Sequence, residues 1–536
     1  MFRSPRTILG ASLCTTLISI LTLSQFAQAD VEQEWAEFQN NAPAFMEKQL
    51  IKRGMNEQIL PNAASLFTRE DAETKAFVEK KAQARKGMGR LSSPICDAQG
   101  VCLDDVIAGR AKAKENVEDF LDLSEFRAKK VRPTASLEEM EERNLKSAAL
   151  EETPWSDSYW PISQGVLGAR YSESRFTKLG HNWKARFDLL LTPKTSLKEI
   201  MANGTQAELD SLSPSEKYDL LIGDLGGTYQ AGYLTPSQWE DGQEYFKENG
   251  KVESWMGICH GWAPASFMMP RPRKTVSTPS ADGTRKVTFF PSDLKGLASY
   301  SWAVGDVDST FLGGRCNEKN PKKDKESGRI LDEECFDTNP GNWHVAIVNQ
   351  IGVAKRSFVI DATYDYEVWN QPVYSYKYKY FNPQTGKEAR NLNTAAVAIE
   401  DFSNDKFKKF RSKQTKSVIG VSMDVTYVVE TAPTADRTDS PSRDAVRSVT
   451  YMYDLELNAK GEIIGGEWYT NAHPDFLWLP PASARAESYG DSGLRGSWTP
   501  GEALPEFWRD IAVKTATKHG QPLAAIIDPL LAQANK

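Results

Sequence analysis

The sequence predicts an α+β fold, with a helical N-terminal region and an antiparallel β-sheet in the second half. Three observations lead to this prediction. Helix-capping patterns concentrate in the first half, strand-like runs of β-branched and aromatic residues concentrate in the second, and no internal repeat is visible. Segregation of helices from strands along a chain is typical of α+β proteins.

The first 29 residues match a secretory signal peptide. Arg3 and Arg6 precede the mostly apolar run from Ile8 to Leu23, and Ala27-Gln28-Ala29 has the small-x-small cleavage pattern. A permanent membrane anchor is the alternative. Since no later segment is apolar enough to span a bilayer, we expect no stable membrane insertion and a secreted or periplasmic protein. The net charge of −7 argues against nucleic acid as a partner.

After the signal peptide we divide the chain into residues 30–150, 151–480 and 481–536. Residues 30–150 are charged and helical, with a capping box at Ser136-x-x-Glu139. This region is poor in apolar residues between Arg69 and Arg90, so it cannot bury a large core alone. We interpret it as a pro-segment lying on the core or as a helical subdomain. Residues 151–480 form the predicted core, and 481–536 a C-terminal extension ending in a helix.

Two helix starts are predicted early in the core. Ser213-Pro214 and Thr235-Pro236 each place a capping residue before a proline, and Gly250 is a suitable stop for the second helix.

The strand predictions follow in the second half. Trp343 to Ile351 and Ser357 to Ala362 predict a hairpin, and Ser417 to Glu430 predicts a long strand. Ser448 to Leu457 and Glu462 to Tyr469 flank Asn458-Ala-Lys-Gly461 and predict a second hairpin.

Five cysteines remain after loss of Cys14 with the signal peptide. Export implies an oxidising compartment, and the short spacings predict the disulfides Cys96–Cys102 and Cys316–Cys335. Cys259 is then left unpaired. A lone cysteine in an exported protein is a reactive thiol, an intermolecular link or an inert buried residue.

Cys259 has the setting of a nucleophile. It follows Gly257 and Ile258 and precedes an apolar run suited to a helix. A cysteine at a helix N-terminus feels the positive end of the helix dipole, which lowers the thiol pKa. The backbone N–H of Cys259 would supply one oxyanion donor, and the indole of Trp255 is a candidate for the other, with a core aromatic as the alternative.

Thiol chemistry also needs a base and a group that orients the base. His344 lies in the first strand of the predicted hairpin 343–362, and a turn near 352–355 would place it within a residue or two of Asp361. A carboxylate there could hold the imidazole in the required tautomer. Asp365 is the second choice for this role. The chain order Cys, His, Asp is that of papain-like and transglutaminase-like enzymes.

Three segments resemble the transglutaminase elicitor family. They are Gly257-Ile-Cys-His-Gly-Trp-Ala-Pro-Ala265, Trp343-His-Val-Ala-Ile-Val-Asn-Gln-Ile-Gly352 and Val368-Trp-Asn-Gln-Pro-Val373. The last resembles the surface peptide of oomycete family members that plants sense, although the residues after Val373 diverge. The resemblance implies a papain-related core, Cys259 as nucleophile and calcium-assisted cross-linking of glutamine to lysine. No acidic segment has the pattern of an EF-hand, so calcium is implied by the resemblance alone.

The leading hypothesis is therefore a secreted protein-glutamine γ-glutamyltransferase with a Cys259–His344–Asp361 triad. Its partners would be proteins with exposed glutamine and lysine. The same residues would also serve a papain-like peptidase or a glutamine deamidase. A surface-binding protein without catalytic activity is a third hypothesis.

Overall fold

The computed structural model describes residues 117–225, 232–305, 307–314, 322–331, 336–363, 367–470, 473–516 and 518–536. The predicted signal peptide, most of region 30–150, and Cys96, Cys102, Cys316 and Cys335 lie outside these residues, so both disulfides remain predictions. Within the described residues, no helix combines the length and apolar character that crossing a bilayer requires.

Helices dominate the first half of the described chain and return at its C-terminus. In chain order they are α1 Val117–Phe120, α2 Leu123–Ala128, α3 Leu137–Glu142, α4 Trp183–Leu191, α5 Leu197–Asn203, α6 Gln206–Asp210, α7 Pro214–Ile222, α8 Leu234–Ser237, α9 Glu240–Asn249, α10 Cys259–Met268, α11 Pro291–Val304, α12 Pro340–Ile347, α13 Leu392–Ala395, α14 Tyr489–Gly493, α15 Glu506–Lys514 and α16 Leu523–Ala534.

The strands are antiparallel, and most belong to one large sheet of order β11-β10-β9-β6-β5-β12-β4. The α+β prediction is confirmed. The strands are β1 Ser147–Ala149, β2 Val276–Pro279, β3 Lys286–Phe289, β4 Thr310–Gly313, β5 Val359–Asp361, β6 Asn370–Phe381, β7 Glu388–Ala389, β8 Val397–Ala398, β9 Ser417–Val429, β10 Ala445–Leu457, β11 Ile463–Gly465 and β12 Phe476–Leu479.

The two largest of the four apolar clusters among the described residues involve different elements. The larger core surrounds α10 and α11 and takes in the C-terminal helix α16, which packs against α11. The second core joins the sheet to α12 and to the N-terminal helices. Helix α10 also packs against β6, so the residue that begins α10 lies where helices and sheet meet.

Local capping chemistry explains where several helices begin and end. Ser213 and Glu216 form a capping box before α7, with Pro214 in the first turn, as predicted. Ser136 caps α3 by accepting the N–H of Glu139. Gly250 ends α9 at φ 73°, a left-handed conformation that favours glycine.

The Thr235-Pro236 prediction was wrong in detail. Tyr233 precedes α8, and Thr235 lies inside that helix, where its hydroxyl donates to Asp219 over 2.7 Å. The Thr235 hydroxyl, which the sequence suggested as a helix cap, therefore donates to the buried carboxylate of Asp219 instead.

The hairpin predicted over 343–362 was also wrong. Residues Pro340–Ile347 form α12, and Val348–Ala354 continue it as a π-helix. Asn339 caps α12 at the N–H of Gly341, and Pro340 occupies the first turn. The β-branched run reflects burial on every side of the helix, since a short apolar run cannot by itself distinguish a buried helix from a strand.

The second hairpin and the long strand are confirmed. Strand β9 spans Ser417–Val429, and β10 pairs antiparallel with it over their whole lengths. Residues 458–462 then turn the chain from β10 into β11, although β11 is shorter than predicted.

Residues 117–150 are part of the folded core. Phe120, Phe126 and Met140 are buried in the second core, and β1 extends the sheet by pairing with β6. Because this segment supplies a strand and core side chains, we expect that any pro-segment cleavage falls before Phe120. The domain boundaries themselves remain predictions.

Candidate active site around Cys259

Helix α10 begins at Cys259 and carries the thiol to the junction of helices and sheet. A β-carbon at Gly257 would lie 2.3 Å from the Tyr159 carbonyl oxygen, and one at Gly261 would lie 2.1 Å from the Ser299 carbonyl oxygen. Both glycines are therefore required by close backbone approach. This explains the Gly-Ile-Cys-His-Gly pattern as the packing that fixes the first turn of α10.

The Cys259 thiol is free, buried and hydrogen-bonded. Its sulfur lies 3.7 Å from the carbonyl oxygen of Val368, as donor, and 3.4 Å from Nδ2 of Asn370, as acceptor. Burial raises the pKa of the thiol to about 11, although hydrogen bonds from Asn370 act in the opposite direction. The thiol is therefore protonated at neutral pH in this state.

Asn370 is held from its other side by Trp478. The indole Nε1–H of Trp478 donates to Oδ1 of Asn370 over 2.8 Å. Trp478 belongs to β12, which pairs with β5, and β5 pairs with β6 at Asn370. Three adjacent strands thus position the amide that contacts the sulfur.

Asp361 lies at the site, but its contacts differ from those predicted. It is the cross-strand partner of Asn370. Its Oδ1 accepts the Trp369 N–H over 3.0 Å and the Thr363 hydroxyl over 2.9 Å. These bonds hold together the two described ends of segment 361–370, which carries Val368 and Asn370. Asp365, the second choice, lies outside the described residues.

A second carboxyl group, Glu430, also acts on the thiol. The charges of Glu430 and Asp361 both raise the Cys259 pKa. Burial raises the pKa of Glu430 itself to about 7, and Nε2 of Gln371 donates to its Oε1 over 2.6 Å. Glu430 thus titrates near neutral pH, and its charge acts on the sulfur.

The structure does not bring His344 into contact with Cys259. His344 is a fully buried residue of α12, and its Nδ1 lies 2.8 Å from the Tyr453 hydroxyl. Its ring packs against Tyr378 at 4.7 Å between centroids. Within the described chain, neither a hydrogen bond nor a ring contact joins this imidazole to Cys259 or Asp361. Burial lowers its pKa to about 3, so the ring is neutral.

Two other histidines line the cleft that contains Cys259. His260 is directed toward the Ala303 backbone, and burial lowers its pKa to about 3. His519 lies on the turn before α16, with Nδ1 3.0 Å from the Val304 carbonyl oxygen. The side chain of Lys518, beside it, pairs with Asp241 at 2.6 Å.

The cleft is mostly apolar and partly open to solvent. Trp255, Trp302, Phe311 and Trp478 contribute to its walls. Trp255 thus lies in the same cleft as the thiol, as an oxyanion donor would, and its role remains a prediction. A mostly apolar cleft with a few convergent polar groups is the usual form of a ligand-binding or active site.

The described residues contain one cluster with metal-ligating chemistry, formed by Asp337, His473 and Asp475. Its ligand atoms lie within 4.8 Å of one another. Calcium takes six to eight oxygen ligands, whereas this cluster includes an imidazole nitrogen and few oxygens. The cluster therefore does not fit the calcium that the family resemblance implies.

The segment resembling a plant-sensed surface peptide is largely buried here. Asn370, Gln371 and Pro372 are buried at the start of β6, and Trp369 is partly exposed. Its asparagine contacts the sulfur, so this segment contributes to the thiol site.

Sequence reasoning missed Asn370, Trp478 and Glu430 as site residues. Asn370 lies within the Trp-Asn-Gln-Pro-Val stretch that carried the resemblance, and this could have marked it. Trp478 lies in β12 and Glu430 directly follows β9, and no local pattern connects either of them to Cys259.

The match to a family model agrees with the family resemblance. The transglutaminase elicitor family model matches residues 240–497. A solved structure, the GP42 transglutaminase from Phytophthora sojae, matches with 22% identity over 68% of this chain and 92% of its own, at a TM-score of 0.45. No curated protein gives a significant match.

Proposed function

Because residues 240–497 carry the sequence pattern of the transglutaminase elicitor family, we propose that this chain is a protein-glutamine γ-glutamyltransferase. It would join glutamine and lysine side chains through a thioester on Cys259. The observation that carries the proposal is a free thiol at the first residue of a helix, facing a mostly apolar cleft. We also propose that it acts outside the cytoplasm, after loss of residues 1–29.

The proposed reaction has two halves. The Cys259 thiolate attacks the glutamine carboxamide carbon, and a C–S bond forms while the carbonyl electron pair moves to oxygen. The intermediate collapses, the C–N bond breaks, and ammonia leaves with the proton that the base took from the thiol. A lysine amine then attacks the thioester carbon, the C–S bond breaks, and an isopeptide bond forms while the base passes a proton from the amine to the sulfur, which restores the thiol.

Glu430 is our proposed proton acceptor for the thiol. A general base works best when its pKa lies near the working pH, and the Glu430 pKa of about 7 meets this condition. In the described structure neither Glu430 nor His344 is hydrogen-bonded to the sulfur, so Glu430 would have to leave Gln371, or His344 would have to leave Tyr453, to take the thiol proton. The two assignments differ in outcome. Glu430→Gln should reduce ammonia release strongly if Glu430 is the base, whereas His344→Gln should do so if the triad is correct.

A metal has no step in this proposal. The calcium dependence implied by the resemblance remains a prediction. Ammonia release measured with added calcium and with a calcium chelator tests it directly.

The proposal is tested with the full chain, a glutamine-rich protein and a labelled primary amine. We expect ammonia release and covalent incorporation of the amine, with both lost in Cys259→Ala. Ammonia release without incorporation would indicate a deamidase. New N-termini in the protein substrate would indicate a peptidase.

One observation favours a non-catalytic alternative. The thiol is protonated, and in the described part of the chain no imidazole is hydrogen-bonded to it. A surface-binding protein would tolerate this arrangement. Slow alkylation of Cys259 near neutral pH, together with no ammonia release from any glutamine substrate, would support that alternative over the enzyme.

A further inference from the structure

We propose that Asn370 is a catalytic residue, whose side-chain N–H stabilises negative charge at the Cys259 reaction centre, and that Trp478 holds its amide in the donating orientation. The charge resides first on the sulfur and then on the oxygen of the tetrahedral intermediate. Only the second of these roles rests on the proposed function.

The orientation of the Asn370 amide follows from its two neighbours. An indole nitrogen can only donate, so the atom that Trp478 contacts must be the amide oxygen. The opposite end of the amide, Nδ2, then faces the sulfur at 3.4 Å. A flipped amide would place two donors against each other and leave the sulfur facing an oxygen. Trp478 therefore fixes which end of Asn370 meets the thiol.

Cys259, Asn370 and Trp478 are all buried. The exposed fractions are 5% for Cys259, 5% for Asn370 and 9% for Trp478. A hydrogen bond to a charged partner is stronger in such surroundings than in water, since no solvent competes for it. The stabilisation should therefore grow when the sulfur becomes an anion.

Other charges near the sulfur make this donor more important. Asp361 and Glu430 both oppose a negative charge there, and burial opposes it further. The hydrogen bonds from Asn370 counteract these effects. Lys518 and His519 line the cleft as well, but Lys518 is already paired with Asp241.

The same donor suits the next step. After the C–S bond forms, the carbonyl oxygen becomes an anion one bond from the carbon attached to sulfur. A group that contacts the sulfur is within reach of that oxygen, and the Cys259 backbone N–H, in the first turn of α10, offers a second donor. Because strands β5, β6 and β12 hold Asn370 and Trp478, the donor is in place before the substrate arrives.

The test measures the thiol pKa from the pH dependence of Cys259 alkylation in the full chain, together with kcat for ammonia release. Asn370→Ala and Trp478→Phe should both raise the thiol pKa, with the larger shift in Asn370→Ala. Loss of one oxyanion donor should lower kcat by about 10²–10³-fold. Trp508→Phe is the control. It removes the indole N–H of a Trp on α15, which donates to the Arg495 carbonyl oxygen over 2.7 Å.

The inference is overturned if both folded variants keep the wild-type thiol pKa, or if Trp508→Phe shifts it equally. If Asn370→Ala does not fold, Trp478→Phe, which retains an aromatic ring, decides the question alone. A pKa shift in the variants, combined with a wild-type protein that releases no ammonia, would uphold thiolate stabilisation by Asn370 and refute the transferase. A pKa shift without a fall in kcat would overturn the oxyanion role.

Discussion

Asp361 accepts the backbone N–H of Trp369 through Oδ1 over 3.0 Å. This bond closes the two ends of the segment that presents Val368 and Asn370 to the Cys259 sulfur. The same carboxylate raises the thiol pKa through its charge. Asp361 thus combines a structural role with an electrostatic role, and substitutions can separate them.

Asp361→Asn should lower the thiol pKa. The substitution removes the negative charge that opposes a thiolate but keeps an oxygen that can accept the Trp369 N–H. Asp361→Ala also removes the acceptor and should cost about 1–3 kcal/mol of unfolding free energy. Alkylation rates against pH and urea unfolding of both variants check this. An unchanged thiol pKa in Asp361→Asn would show that the carboxylate charge does not reach the sulfur.

Gly261→Ala should destabilise the protein by about 1–3 kcal/mol and reduce activity, because the added methyl group would force α10 away from α11. Its β-carbon would lie 2.1 Å from the Ser299 carbonyl oxygen. Gly465→Ala is the matched control, since a β-carbon there meets nothing closer than 3.8 Å. Thermal unfolding and ammonia release measure both effects. Equal stability in the two variants would contradict the tight packing of α10.

Tyr453→Phe should lower stability by about 1–3 kcal/mol and leave the pH profile of Cys259 alkylation unchanged. It removes the hydroxyl that lies 2.8 Å from Nδ1 of His344 inside the core. This outcome would identify the His344 pair as structural. A shifted alkylation profile would instead connect His344 to the thiol and favour the triad.

Glu430→Gln should alter the pH dependence of stability. The folded-state pKa of about 7 is above the ordinary glutamate value of about 4.3. Between these values the folded protein keeps a proton that the unfolded chain releases, so the unfolding free energy falls as pH rises. Glutamine has no proton to lose. Urea unfolding at pH 5 and pH 8 should therefore show that the variant gains stability relative to wild type at the higher pH. A constant difference would contradict the raised pKa.

The sequence predicted well what local chemistry decides. The capping box at Ser213, the stop at Gly250 and the turn between β10 and β11 all depend on a few neighbouring residues. The position of Cys259 at the start of a helix followed from the glycine before it and the apolar run after it.

Tertiary burial decided what the sequence could not predict. The run 343–351 contains several β-branched residues, yet it forms a helix that continues as a π-helix, and these residues are buried. Asn339 as the cap and Pro340 in the first turn are the local features that begin this helix. The predicted pairing of His344 with Asp361 depended on that hairpin, so it had no basis in the observed structure. The true cross-strand partner of Asp361, Asn370, was visible only from the sheet register.

The central claim is that Cys259 forms an acyl intermediate. The full chain is mixed with a glutamine peptide, quenched in acid within one turnover, digested and analysed by mass spectrometry. We predict that the peptide containing Cys259 carries the glutamyl acyl group as a thioester, that hydroxylamine removes it, and that Cys259→Ala never acquires it. Isopeptide product without this thioester, or product from Cys259→Ala, would contradict the account.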